Sequence, residues 1–104
     1  MLQNFKACFL KPNTTNPKTI YTPEFLINVW FVGVSDSQSQ YGKFAGVTYQ
    51  YELTCKLSPA YRVVINETWQ VAIDGITYSI QAEPKTVTTP NGYQHSIFAL
   101  SKRT

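Results

Sequence analysis

Apolar residues fall on every second position through much of this chain, and the pattern is cleanest between positions 47 and 57. Val47, Tyr49, Tyr51, Leu53, Cys55 and Leu57 alternate there with Thr48, Gln50, Glu52, Thr54 and Lys56. A period of two sends successive side chains to opposite faces, so the segment reads as a strand with one buried and one wet face. The stretch from Trp69 to Ile80 reads as two strands joined by a tight turn. Trp69, Val71 and Ile73 alternate on the way in, and Ile76, Tyr78 and Ile80 on the way out. Asp74 and Gly75 between them suit a type I′ turn, because both central residues of that turn need positive φ and these two tolerate it.

Three further strands are predicted. Phe5, Ala7 and Phe9 alternate with Lys6 and Cys8, giving a strand over residues 3–10. Residues 24–34 carry large apolar groups on both faces, and their β-branched and aromatic content favours a strand buried on two sides or bent round a barrel. Residues 93–100 form the last. Between these lie a Pro12 to Pro17 loop, a connector over residues 61–68, and another over residues 83–92 marked by Pro84, Pro90 and an Asn91-Gly92 turn signal. Residues 35–46 break the pattern. Ser35, Asp36, Ser37, Gln38, Ser39, Gln40, Tyr41, Lys43 and Phe44, with glycines at 42 and 46, make a long polar excursion. One weak helical turn capped by Asp36 or Ser35 fits within it. The expected architecture is one all-β domain over residues 1–104, a small six-stranded barrel or sandwich with that long loop between its second and third strands.

Composition supports such a core. The chain has six Phe, seven Tyr and two Trp, and each aromatic side chain buries about 150–250 Å². Closing the sheet would also remove exposed strand edges. Tyr49, Tyr51, Trp69 and Tyr78 invite comparison with the stacking platforms of single-strand nucleic-acid binders, but Tyr49 and Tyr51 share a face with Val47, Leu53, Cys55 and Leu57, which favours burial. Nine basic residues against six acidic give a net charge of +3. The lysines are scattered, and only Lys102 and Arg103 are adjacent, so the dense basic stripe of a nucleic-acid binder is missing.

The residues offer little chemistry. His95 is the only histidine, no nucleophile or phosphate-loop motif is present, and the six Asp and Glu show no spacing for an acid/base pair. The expectation is a protein that is not an enzyme, with no metal and no cofactor. Cys8 and Cys55 are expected to be buried free thiols, since residues 1–6 show no apolar signal-peptide core. No apolar run is long enough to cross a bilayer.

The order of features resembles the tailed-bacteriophage head–tail joining proteins, also called head-closure or stopper proteins. The likeness spans residues 5–100. It is sharpest at Val29-Trp30 through Val34 and at the Trp-x-Val-x-x-Asp-Gly-x-x-Tyr-x-Ile hairpin of residues 69–80. It implies a structural virion protein of the neck, made in the host cytoplasm. Such proteins form a homo-oligomeric ring, typically of twelve subunits, between a portal-side adaptor and the tail, and help to retain packaged DNA without sequence-specific binding. It also implies that residues 35–46 face the central channel or a neighbouring subunit. Family loops carry acidic groups and a short helix. Here Asp36 is the only acid, and Gly42 weakens a helix by about 1 kcal/mol, which points to a loop that orders on assembly. The alternatives are a tail-terminator or tail-completion ring protein and, from a different class, an OB-like single-strand nucleic-acid-binding module.

Overall fold

A computed structural model describes residues 5–15, 18–34, 44 and 47–103. Seven strands form one antiparallel sheet: β1 (Phe5–Thr15), β2 (Lys18–Gly33), β3 (Tyr51–Cys55), β4 (Gln70–Ile73), β5 (Ile76–Ile80), β6 (Lys85–Thr88) and β7 (Gln94–Lys102). Their order is β3-β2-β1-β4-β5-β7-β6, and β3 also pairs with β7. That second pairing closes six strands into a barrel and leaves β6 as an addition. Closure works because β7 uses both edges. Ser96 to Leu100 pair with β3 on one side. On the other side Gln94 to Ile97 pair with β6 and Leu100 to Lys102 with β5, end to end.

The inward set follows the alternation. Ala7, Phe9, Val29, Leu53, Val71, Phe98 and Leu100 are fully buried in the interior cluster. Aromatic rings fill both ends of the barrel. At one end Phe9 stacks on Phe25 at 4.9 Å and meets Phe98 edge-on at 5.3 Å, while Phe25 lies 4.3 Å from Tyr61. At the other end Phe31 lies 5.0 Å from Tyr51 and 5.2 Å from Tyr78. On β2 the inward residues are Phe25, Ile27, Val29 and Phe31. The outward set is different: Leu26 is 61 % exposed, so the strand is not buried on both faces along its length.

Four features depart from the pattern-based expectation. Among the described residues the strand count is seven, because the connector over residues 83–92 contains β6. All four β6 residues are exposed, so no alternation marks them. A tight loop joins β6 to β7: the Gly92 N–H donates to the Thr89 carbonyl at 3.0 Å, the Thr89 N–H to the Tyr93 carbonyl at 2.8 Å, and Gly92 takes φ 88°. Pro12 to Thr15, within the predicted Pro12 to Pro17 loop, are strand, with the β1–β2 ladder running to Thr15 opposite Lys18, while residues 16 and 17 lie outside the described residues. Pro12 faces Tyr21 on a ribbon that β4 no longer accompanies beyond Leu10, and an open edge tolerates a missing N–H. Glu24 is the extra residue of a bulge there, since Phe9 pairs with Phe25 but Leu10 with Pro23.

The third departure is a single helical turn, α1 (Pro59–Arg62), within the Ser58–Thr68 connection. Pro59 stands at its first position, where no N–H is needed, and the Arg62 N–H donates to the Ser58 carbonyl at 3.0 Å. One turn is too short to show a helical period. The fourth concerns the third strand, which spans only Tyr51–Cys55. The chain bends at Gln50, so Val47 and Tyr49 leave the barrel interior. They join a second cluster on the outer wall of β3 and β7, where Phe44, Tyr49, Ile97 and Ala99 are buried and Val34, Val47 and Ala82 pack against them.

The β4–β5 turn is as expected. Asp74 has φ 51° and Gly75 φ 77°. A Cβ added at Gly75 would meet nothing within 4 Å, so Gly75→Ala costs backbone strain alone, about 1–2 kcal/mol. We expect its melting temperature to fall by about 5–15 °C, with the far-ultraviolet spectrum unchanged; an unaltered melting point would mean that the turn does not need positive φ.

Candidate interaction surfaces

The barrel has two distinct ends, which the ladders define. β3 and β7 run from Tyr51 beside Leu100 to Cys55 beside Ser96. The Gly33–Tyr51 pair and the Asp74-Gly75 turn lie toward the first end, and α1 lies beyond the second. The residues that flank 35–46 lie against the outer wall: Val34 and Val47 both pack on the second cluster, and the Val34 N–H donates to the Gln50 carbonyl at 2.9 Å. The loop candidates Ser35, Asp36, Ser37, Gln38, Ser39, Gln40, Tyr41 and Lys43 lie outside the described residues. Phe44 is an exception to the expected outward presentation. It is 3 % exposed, meets Tyr49 edge-on at 5.5 Å, and has the Lys85 ammonium 5.2 Å from its ring centre. An aromatic ring gains more by covering Ile97 and Ala99 than by facing water.

Nor do the other aromatics offer a platform. Tyr49, Trp69 and Tyr78 are each at most 5 % exposed, and Tyr51 packs against the interior cluster. Burial pushes up the phenol pKa of both Tyr49 and Tyr78, aided at Tyr49 by the Glu52 carboxylate, which accepts its hydroxyl at 3.4 Å, and at Tyr78 by Tyr51 and Asp74. Cys55 is buried and Cys8 half-buried, and both are free. Burial pushes the Cys55 thiol up to about 12, which removes it from nucleophilic use near neutrality. Among the described residues no three or more His, Cys, Asp or Glu side chains gather to hold a metal ion, and no helix is long and apolar enough to cross a membrane.

What the surface does present is charge in clefts. One, about 590 Å³, opens between the chain leaving β3 and the β6–β7 loop, and is lined by Lys56, Ser58, Arg62, Asn91, Tyr93 and Gln94 among others. The Lys56 ammonium stands 5.2 Å over the Tyr93 ring. Arg62 donates from Nη1 to the Gln94 side-chain oxygen, while its Nε is buried without a partner. Lys56 also borders a second cleft with Lys6, Leu26 and Asn28. Across the molecule, Asn66, Glu67, Thr68 and Glu83 line a third. No protein-family model matches this chain, and no curated protein matches it either. The surfaces therefore have to be read from their own chemistry.

Sequence reasoning missed these clefts because their residues lie far apart in the chain. Lys6 and Lys56 read as isolated surface charges. Only the pairing of β1 with β2, and the early end of β3, brings them to one place.

Proposed function

We propose that this chain is a structural subunit of a tailed-bacteriophage neck, a head–tail joining protein of the head-closure or stopper type. In this reading it forms a ring between the portal-side adaptor and the tail and helps to hold packaged DNA in the head. The observation that carries the reading is a closed barrel in which Val34 and Val47, on either side of the polar segment between β2 and β3, both pack on the outer wall. A rigid barrel that supports a long loop suits a part whose work is to meet neighbours. It fits the ordered features that the sequence shares with that family, from the first strand to the Asp74-Gly75 hairpin. Burial of Tyr49, Trp69 and Tyr78 weighs against the nucleic-acid module, since a stacking surface must be open to bases.

The test is to tag the chain, image intact particles, and then deplete it. The expected result is density at the neck, with DNA-leaking, tailless heads after depletion. Density at the end of the tail tube would replace this reading with the tail terminator. Absence from purified particles would reject both.

A further inference from the structure

The basic and acidic clefts stand at the same end of the barrel and on opposite sides of it. β3 stops at Cys55, so Lys56 leaves the ladder beside the open edge of β2. Lys6 reaches the same place from β1, because it pairs with Asn28. Arg62 continues the surface from α1, and among the described residues no carboxylate lines either of these adjoining clefts. Glu67 precedes β4 and Glu83 follows β5, and among the described residues no basic side chain lines their cleft. Gln81 donates to the Ala99 carbonyl at 2.8 Å, so the chain after β5 runs toward the Ser96 end of β7, the end where Lys56 also lies. Round the closed order β3, β2, β1, β4, β5, β7, the β2–β3 seam and the β4–β5 seam are diametrically opposed.

We propose that these are two halves of one interface: a second copy of this chain seats its Glu67 and Glu83 against Lys6, Lys56 and Arg62. The two surfaces differ and face opposite ways, so the contact is head-to-tail, and it closes a ring if the rotation per copy allows. Leu26, 61 % exposed, and Tyr93, 56 % exposed, border the basic side and supply the apolar area that charge alone lacks. The opposed charges set register and speed encounter. A second copy is favoured over a nucleic acid because the complementary surface is carried by the chain itself.

This interface deepens the ring reading, and mixing two charge-reversed proteins tests it separately. Lys6→Glu with Lys56→Glu makes one variant, and Glu67→Lys with Glu83→Lys the other. All four side chains are exposed, and circular dichroism melts check that both variants fold. At low salt the natural chain is expected to self-associate in sedimentation runs. Each variant alone should lose roughly tenfold or more in association constant, and an equimolar mixture should regain it, because each variant then meets an opposite charge. Adding about 0.5 M salt should disperse the assemblies. Variants that associate like the natural chain, or a mixture that stays monomeric, would overturn the proposal. So would a labelled thymidine oligonucleotide that binds the natural chain, is lost with the lysine variant, and leaves the mixture monomeric. A failed mixture with the chain still seen at the neck rejects only this interface. Regained association with the chain absent from particles rejects only the neck reading.

Discussion

Phe98→Ala should destabilise the domain by about 3–5 kcal/mol. Phe98 is fully buried, lies opposite Leu53 in the β3–β7 ladder, and meets the Phe9 ring at 5.3 Å. Truncation removes the transfer free energy of the ring, leaves a cavity between packed neighbours, and deletes an edge-on ring pair worth about 0.5–1.5 kcal/mol beyond its buried area. The position makes it worse, because β7 is the strand whose two edges close the barrel. Domains of this size hold only about 5–15 kcal/mol in all, so the loss should lower the melting temperature by roughly 12–40 °C. Phe98→Leu, which keeps much of the volume, should cost far less. Val63→Ala is the contrast: Val63 is equally apolar in the sequence but 82 % exposed, and its change should stay within about 0.5 kcal/mol. Urea midpoints for the three variants check this. A loss below about 1 kcal/mol for Phe98→Ala would mean that the barrel interior is not the main source of stability.

That contrast also shows how much of the fold was legible. Alternation located the interior faces of β1, β4 and β5, because there the period of two survives, whereas β7 is buried on both faces from Ser96 to Leu100 and carries no such signal. The Asp74-Gly75 turn was legible for a local reason, since two positive φ angles demand these residue types. Alternation failed wherever burial was set by something other than the barrel interior. β6 buries nothing, so its four residues carry no pattern. Val47 and Tyr49 keep the phase of β3 in sequence, yet a bend at Gln50 delivers them to the outer wall. Pro12 looked like a loop residue, but a ribbon with open edges accommodates it.

The interaction surfaces were less legible than the core, for a related physical reason. Burial repeats along a strand, whereas a charged cleft is assembled across strands. Lys56 and Lys6 meet because β3 ends before β2 does, a fact about ladder lengths that no local spacing encodes. Glu67 and Glu83 meet because the β4–β5 hairpin brings its two feet together. The polar excursion was visible from composition alone. Its attachment was not, since Phe44 reads as one more loop residue until Ile97 and Ala99 are seen beneath it.

Alkaline pH should expose the second large effect, and Cys55 is its source. The thiol is 3 % exposed inside the barrel, and burial raises its pKa from 9.0 to about 12. A folded pKa above the unfolded one means that the folded chain holds the proton more tightly. The contribution is therefore intact below pH 9.0 and is lost as pH climbs toward 12. Within that window stability should fall by up to about 1.4 kcal/mol per pH unit from this one group. Tyr49 and Tyr78, also raised by burial, add a loss of the same sign that starts above pH 10. Cys55→Ala separates the two sources. It costs stability at neutral pH through lost packing, but it leaves the tyrosines in place and deletes the thiol. Between pH 8 and 10.5, with reductant present, the natural chain should lose about 2 kcal/mol more than Cys55→Ala in urea unfolding. Equal losses would mean that Cys55 ionises as readily in the folded barrel as in the unfolded chain. The half-buried Cys8 gives an internal comparison, because an alkylating reagent should modify it in the native state while Cys55 waits for unfolding.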